Sequence, residues 1–331
     1  MQYKVTNKVE NKPRNNLTKS LKGFEWRNYI VYIAFIGVLI YFSVSLSDQG
    51  FLSSDNFMNI VRQTAPITIM ALAMTFVIST GEIDLSVGSI AALSSLTGAL
   101  SIQAGYGAIG GVAVGLATGL LVGLINGLLV TRVQIPSFLV TLGTLGAISG
   151  VAMWITDTAP VPIVDASFNF IFGSGDIGAV PILLVWTLIL TIIAHILLKK
   201  TPFGRQTLAT GGNESAARFS GVKTMKIKLI VFLGTGLMAG LAGLLYAGRM
   251  HAGRYTFGQG DELSVIAAVI LGGTSLFGGV GTIVGTVVGS LMIGTINNGL
   301  IIMGLDVSQQ MIVKGMIIIM AVAFGKKALK R

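Results

Sequence analysis

Long apolar runs separated by short polar intervals occupy the chain after residue 28. Most runs are close to the roughly 20 residues that a helix needs to cross a bilayer. The pattern predicts an all-α polytopic membrane protein with about ten transmembrane helices. The predicted runs are 29–46, 60–79, 85–103, 107–130, 138–156, 180–198, 227–247, 263–278, 282–304 and 308–325.

The charges between the runs predict which side of the membrane each interval faces. Residues 1–28 hold seven Lys or Arg against two Glu, whereas the intervals 47–59 and 157–179 hold Asp but neither Lys nor Arg. Basic intervals stay in the cytoplasm. We therefore expect a cytoplasmic tail over 1–28, a transmembrane domain over 29–331 with a cytoplasmic loop at 199–226, and cytoplasmic N- and C-termini. The interval 248–262 is an exception, since the span count places it outside although it carries Arg249, His251 and Arg254.

Two regions of the chain resemble each other. GEIDLSVGSIAAL from Gly81 parallels GDELSVIAAVIL from Gly260, and the glycine-stepped runs that follow end in INGLLV from Ile125 and INNGLII from Ile296. An odd number of spans separates the copies, so they would cross the membrane in opposite directions. We expect an inverted internal repeat with a path near the membrane midplane. The glycines at four-residue spacing from Gly111 to Gly123 indicate close helix packing.

Composition excludes several classes of function. With 53% hydrophobic and 11% charged residues, the chain has too little polar surface for a soluble globule of 331 residues. The net charge of +10 arises at the ends of apolar runs, so we expect a lipid bilayer as partner and no nucleic acid. The chain lacks Cys, its two His are far apart, and it has no GxxxxGK[ST] phosphate loop. We therefore expect no catalytic residue, no metal site and no bound cofactor.

Several polar residues lie within or beside the apolar runs and are candidates for a translocation path. Glu82 and Asp84 separate two runs, and carboxylates near membrane depth are costly, so they line a path or else cap a helix in a cytoplasmic turn. The amides have the alternative of bonding helix to helix. The candidates are Glu82, Asp84, Ser86, Ser89, Asn126, Asn297 and Asn298.

Charges on the predicted outer side are candidates for docking an extracytoplasmic partner. Arg62, Arg249 and Arg254 would suit an acidic surface, with contact to lipid headgroups as the alternative. Asp261 and Glu262 are the repeat-related carboxylates on that side, with helix capping as the alternative.

The interval from Lys199 to Lys228 is the largest polar surface after the N-terminal tail, and it is basic at both margins. Its centre, 211–221, predicts a short helix: Asn213 caps it, Glu214 lies in the first turn, and Arg218 follows at i+4. If the protein works with a soluble partner, we expect the two to meet here.

Five strings together resemble the membrane permease subunit of bacterial monosaccharide ABC importers, the ribose/xylose/galactose permease family within the wider sugar and branched-chain amino acid permeases. The resemblance runs in order from about residue 50 to 325. The strings are TGEIDLSVGS from Thr80, GRQTLATGGNESAARFSGV from Gly204, DELSVIAAVILGGTSLFGG from Asp261, GTIVGTVVGSLMIGTINNGL from Gly281 and QMIVKGMIIIMAV from Gln310. Glu82 and Asp261 depart from the commoner pattern, which leaves the particular sugar open.

This resemblance implies a multi-pass protein of the bacterial inner membrane that passes a monosaccharide delivered by an extracytoplasmic binding protein. It implies a second permease copy in a homodimer and ABC ATPase subunits, which use ATP and Mg. By resemblance, the ATPase docks on Gly212, Asn213, Glu214, Ala217 and Arg218. Two alternatives stand beside it: an ABC permease for branched-chain amino acids or nucleosides, and an ion-coupled secondary transporter, which the Glu82–Asp84 pair would suit.

Overall fold

The computed structural model describes residues 30–327, which form a bundle of helices. The predicted basic tail over 1–28 and the C-terminal Lys330 and Arg331 lie outside these residues. The helices of six or more residues are α1 (Ile30–Ser45), α2 (Ser54–Ser79), α3 (Val87–Ser101), α4 (Gly107–Thr131), α5 (Ser137–Trp154), α6 (Ile182–Lys200), α7 (Pro202–Gly212), α8 (Glu214–Phe219), α9 (Thr224–Met250), α10 (Asp261–Leu271), α11 (Ile283–Ile302) and α12 (Val307–Lys327). Shorter helical turns lie at Ser47–Gln49, Ile102–Tyr106, Ala166–Asn169 and Phe170–Ser174.

Short strands accompany the helices. They are β1 (Val161–Pro162), β2 (Asp176–Ile177), β3 (Val180–Pro181) and β4 (Ala252–Gly253). β1 pairs antiparallel with β4, and β2 with β3. The first pairing ties the interval between α5 and α6 to the end of α9. Apart from these two-residue strands, the regular structure of the described residues is helical, as predicted.

Within the described part of the chain, six helical stretches are long and apolar enough to cross a membrane. Five are α2, α5, α6, α9 and α11, and the sixth is the stretch Val87–Thr131, which contains α3 and α4. A break at Gly105, whose φ is 92°, separates α3 from α4. The protein is thus a multi-pass helical membrane protein.

The predicted run 263–278 is wrong over its second half, because α10 ends at Leu271. Gly273, Gly278 and Gly279 have φ of 92°, 80° and 77°, a region that residues with a side chain rarely adopt and that ends a helix. With 11 residues, α10 is about 16 Å long, roughly half the thickness of a bilayer's apolar core.

Glycines bring α4 and α9 together. A Cβ placed on Gly119 would overlap the carbonyl oxygen of Gly236, and one on Gly123 would lie 3.0 Å from the Gly236 Cα. In lipid there is no hydrophobic driving force for helix association, so close packing of the two backbones stabilises the pair. The packing role predicted for the glycines of this run is confirmed.

Hydroxyl groups join α2 to α11. Thr68 and Ser290 share a hydrogen bond of 2.8 Å, and Thr75 and Thr286 share another of 2.8 Å. Every residue of α2 from Thr64 to Ser79 is buried. α2 is therefore an internal helix rather than a lipid-facing one.

The residues before α3 run extended beside α9. Glu82 contacts Lys228, and Ala91 contacts Gly243, which lies about four turns, or about 22 Å, further along α9. The chain from 82 to 91 covers that length because its first half is extended and only its second half is helical. α3 therefore begins partway along α9, not beside its N-terminus.

The start of α3 meets the start of α10. The residues after β4 run back along α3, since the Arg254 amide donates to Ser95 Oγ at 3.3 Å and Gly258 then packs against Gly88. A Cβ on Gly88 would also lie 2.8 Å from Glu262 Oε2, in the first turn of α10. Two short helices thus place their N-termini side by side inside the bundle.

Candidate functional site

The predicted short helix around residue 214 is confirmed as α8. Asn213 Oδ1 accepts a hydrogen bond of 2.9 Å from the Ala216 amide, as expected of an N-cap. Arg218 donates to Glu214 Oε1 at 3.0 Å across one turn. The preceding helix α7 lies in a stretch that the sequence pattern did not assign to a helix.

α8 presents an exposed face. Ala217 is buried beneath the helix, whereas Gly212, Asn213 and Arg218 are exposed. Phe219, at the end of α8, is 93% exposed. Phe219 adds an aromatic side chain to the exposed face around Arg218, and aromatic residues are among those that contribute most to protein interfaces. The sequence analysis did not single out Phe219, although its place directly after Arg218 was a usable signal.

Glycines hold α7 against the end of α2 and the loop 273–282. The Gly279 amide donates to the Ser79 carbonyl oxygen at 3.0 Å. A Cβ on Gly211 would overlap that same oxygen, and one on Gly278 would lie 2.6 Å from the Gly211 carbonyl oxygen. Because no side chain separates these backbones, α7 lies in direct backbone contact with the helical bundle.

One ammonium group joins the segment before α3 to α8. Lys228 Nζ lies 2.6 Å from Glu82 Oε1 and 2.8 Å from Glu214 Oε2. The three side chains line a cavity of about 220 Å³ together with Gln134 and Pro136. The sequence analysis counted Lys228 only among the basic margin residues. Its position four residues inside α9 was the signal that it needs a partner.

The pKa of Glu214 lies below its ordinary value of 4.5. Partial burial alone would raise the pKa of this carboxyl group. The hydrogen bond and positive charge of Lys228, together with hydrogen bonds from Thr224 and Arg218, outweigh burial and favour the ionised form. Glu214 is thus a carboxylate at neutral pH.

Asp84 begins a buried polar network at the start of α3. Asp84 Oδ1 accepts from the Ser86 amide at 2.9 Å and from Ser86 Oγ at 2.6 Å. Ser86 Oγ accepts from Asn126 Nδ2 at 2.9 Å, and Asn126 Oδ1 accepts from Thr144 Oγ1 at 2.6 Å. Ser89 Oγ donates to the Ser86 carbonyl oxygen at 2.9 Å. The structure therefore brings together four of the predicted path residues, while Glu82 turns away to Lys228.

The two amides of the second copy lie elsewhere. Asn298 and Asn56 exchange two hydrogen bonds of 2.9 and 3.0 Å between α11 and α2. This is the helix-to-helix alternative that the sequence left open. Asn297 is only partly buried.

The predicted docking charges have different local partners and exposure. Arg62 makes an ion pair with Asp176 of β2. Arg249 is partly buried in the last turn of α9, and Arg254 is exposed just after β4. The Asp261 carboxylate accepts from the Tyr246 hydroxyl at 2.6 Å.

Comparison with known proteins places these residues in a family context. The family model described as "Branched-chain amino acid transport system / permease component" matches residues 56–322. The ribose import permease protein RbsC of Bacillus subtilis (strain 168) is 43% identical over 294 residues, which cover 88% of this chain and 90% of that protein.

Two further relatives are similar over most of their length. RbsC of Escherichia coli (strain K12) is 40% identical over 288 residues, covering 86% of this chain and 89% of that protein. The L-arabinose transport system permease protein AraH of the same strain is 36% identical over 301 residues, covering 91% of both. No solved structure matches the chain.

Proposed function

Because the chain belongs to the branched-chain amino acid transport system / permease component family, we propose that it is the permease subunit of an ATP-driven ABC importer for a monosaccharide. The observation that carries the proposal is similarity over nearly the whole chain to permeases named for ribose and L-arabinose. Those names favour a sugar over the amino acids of the family description. The chain is a transport subunit and not an enzyme, and a separate ATPase subunit hydrolyses ATP.

We place the protein in the bacterial cytoplasmic membrane with α7 and α8 on the inner side. Lys199, Lys200 and Arg205 near the end of α6 support this orientation, as do the acidic residues without Lys or Arg between 157 and 179. With the ten crossings predicted from the sequence, both termini are then cytoplasmic.

The proposed inverted repeat relates α2, α3 and α4 to α9, α10 and α11. Its support is that the packing of the two sets corresponds. α4 packs on α9 as α11 packs on α2, and α3 packs on α9 and α4 as α10 packs on α2 and α11. α3 and α10 are then paired half-helices that begin near the membrane midplane. Their irregular leading segments are tolerated because protein, rather than lipid, surrounds them.

We propose that the path passes the start of α3. Ser86, Ser89 and Asn126 supply small hydroxyl and amide groups there, which suit a neutral, polyhydroxylated solute better than a strong charge does. Asp84 fixes this network, and we retain Glu82, Asn297 and Asn298 as neighbours of the path. Sugar specificity belongs mainly to the binding protein.

The proposed partners are a second copy of the chain, the ATPase subunits and an extracytoplasmic sugar-binding protein. The ATPase, with its ATP and Mg, docks on the α7–α8 segment at Gly212, Asn213, Glu214 and Arg218, and Ala217 packs beneath α8 to hold this surface in place. This chain itself binds no cofactor. The binding protein docks on the outer side, where we propose Arg62, Arg249 and Arg254. Asp261 and Glu262 open α10 beside Gly88 inside the bundle, so we do not propose them for that surface.

Uptake of radiolabelled D-ribose in the native cell, with and without the gene for this chain, tests the proposal. L-arabinose and L-leucine serve as parallel substrates. We expect loss of the chain to abolish uptake of one or both sugars and to leave leucine uptake unchanged. Loss of leucine uptake alone would overturn the substrate class. Sugar uptake that survives removal of the ATPase but stops with an uncoupler would instead favour the ion-coupled transporter.

A further inference from the structure

Lys228 connects three separate parts of the chain through one side chain. It lies in the second turn of α9, its first carboxylate partner Glu82 precedes α3, and its second partner Glu214 opens α8. The Lys228 and Glu82 side chains are 11% and 15% exposed, and that of Glu214 is 32% exposed. Solvent therefore screens the Lys228–Glu82 pair much less than an ordinary surface ion pair.

The α8 end of this connection is fixed by further bonds. Glu214 Oε2 accepts from Lys228, while Oε1 accepts from Arg218 at 3.0 Å and from Thr224 at 3.1 Å. A carboxylate with this many donors moves together with them and not alone. Movement of α8 thus carries the Lys228 ammonium with it.

The other end of the connection leads directly to the buried network. Only Ile83 separates Glu82 from Asp84, and the Ile83 amide donates to Ser137 Oγ at 3.1 Å. Asp84 in turn holds Ser86, which accepts from Asn126. The segment is extended, so a pull on Glu82 shifts the residues ahead of α3 instead of being absorbed by a helical turn.

Charge balance makes the connection depend on Lys228. Glu82 and Glu214 both face the same cavity of about 220 Å³, and a single ammonium lies between them. Without that ammonium, two carboxylates would repel each other in a partly buried space. The segment before α3 would then separate from α8.

We propose that Lys228 transmits the movement of α8 to residues 82–86, and so couples ATPase closure to the opening of the path at the start of α3. This inference rests on the proposed function of the chain. Lys228 touches neither substrate nor ATP in this role. It is a positioning residue, and its loss should uncouple the importer without dismantling it.

The test compares Lys228→Met, Lys228→Arg and the control Lys226→Met in the assembled complex, purified from the native cell through a tag on this chain. Lys226 is exposed in the same stretch of α9. We expect Lys228→Met to retain the co-purified ATPase and its basal ATP hydrolysis. The uptake of D-ribose, and the stimulation of ATP hydrolysis by D-ribose, should each fall about 10-fold or more. Lys228→Arg should keep most of the uptake, and Lys226→Met should match the wild type.

A double-mutant comparison separates transmission from a local structural role. Glu82→Gln removes the charge from the Lys228–Glu82 pair, which weakens the link to the segment before α3, and leaves the Lys228–Glu214 pair. We expect it to uncouple transport as Lys228→Met does, and the double variant to be no worse than Lys228→Met alone. Glu82→Gln also supplies the test if Lys228→Met does not reach the membrane.

Wild-type uptake in Glu82→Gln, or equal uptake in Lys228→Met and Lys226→Met, would overturn the inference. A third outcome would also overturn it: the ATPase is lost from the Lys228→Met complex while Glu82→Gln couples normally. Lys228 would then stabilise only α8. These results leave the proposed function standing, provided that the wild-type complex imports D-ribose or L-arabinose. Failure of the wild-type complex to import either sugar would overturn the proposed function itself.

Discussion

Asp84 is fully enclosed by protein, and Ser86, two residues further along the chain, donates two hydrogen bonds to one of its carboxylate oxygens. The two bonds from Ser86 bend the extended segment into the first turn of α3. The sequence offered two readings of this carboxylate, a cap and a path residue. The structure has features of both. Asp84 accepts a hydrogen bond from the Ser86 amide just before α3, as a cap would, and Ser86 accepts a hydrogen bond from Asn126 in the buried network.

Replacing Asp84 should show how much of the local fold depends on its acceptor oxygen. Asp84→Asn keeps an oxygen in place of Oδ1 and should retain near-normal stability. Asp84→Ala leaves the Ser86 amide and hydroxyl unpaired and should destabilise the protein by about 1–3 kcal/mol. Thermal unfolding of the detergent-solubilised protein measures the difference, with the exposed Asp55→Ala as control. Equal unfolding temperatures for Asp84→Asn and Asp84→Ala would contradict this role.

The pKa of Glu214 gives a defined pH dependence. Because folding lowers this pKa from about 4.5, the ionised Glu214 stabilises the folded state fully above that pH, and the contribution is lost as the pH falls through the folded-state pKa. The difference in unfolding temperature between wild type and Glu214→Gln should be constant from about pH 8 to about pH 5 and shrink below about pH 4.5. A difference that changes near pH 7 would mean that another group is responsible.

At the scale of elements, the sequence predicted the long apolar helices. It missed the helices whose ends are set by a glycine conformation or by packing against other parts of the chain. It placed α4, α5, α6, α9 and α11 within three residues at each end, because apolar length alone defines them, but it began α2 six residues late because the first turns of that helix are polar. The helix predicted at α10 was too long, because its apolar residues give no sign that Gly273 adopts a positive φ. α7 was missed because its side chains are mostly polar or small, and its position comes from backbone contact with the end of α2.

The contact between α4 and α9 should tolerate no added methyl group. Gly236→Ala places a Cβ against the Gly119 backbone, so we expect loss of monodisperse protein in detergent and destabilisation by more than about 2 kcal/mol. Gly234→Ala is the matched control two residues away, because a Cβ there meets nothing within 4 Å. It should be neutral or slightly stabilising through its helix propensity. Equal behaviour of the two variants on size-exclusion chromatography and unfolding would contradict the proposed packing.

α8 should bind its partner through Phe219 as well as through the residues that the sequence indicated. Phe219→Ser should reduce the amount of co-purified ATPase by about 10-fold, because an exposed aromatic at a docking surface contributes about 1–2 kcal/mol or more. Insertion into the membrane should be unchanged. Phe57→Ser, at the opposite end of α2 and also exposed, is the control. Unchanged co-purification with Phe219→Ser would exclude Phe219 from the interface.

At the scale of the whole molecule, the buried network and the ion pairs link features that lie far apart in the sequence. Glu82 and Lys228 are distant in the chain, and so are Asn56 and Asn298, so no local pattern could have paired them. The repeated strings did indicate which stretches correspond to each other. They did not indicate that the N-termini of α3 and α10 meet, because that contact depends on the route of the chain from β4 back along α3. The sequence therefore predicted many residues of the candidate site but not the contacts between them.

The proposed orientation is open to a direct test because the chain contains no Cys. Ser215→Cys, on exposed α8, and Ala179→Cys, in the exposed turn between β2 and β3, each introduce a single thiol. A membrane-impermeant maleimide applied to intact spheroplasts should label Ala179→Cys and not Ser215→Cys, whereas both should react after lysis. The basic residues on either side of α8 resist transfer across the membrane, and the acidic 157–179 interval does not. Labelling of Ser215→Cys in intact spheroplasts would place α8 outside, where no ATPase could reach it, and would contradict the orientation, the docking site and the transmission through Lys228 together.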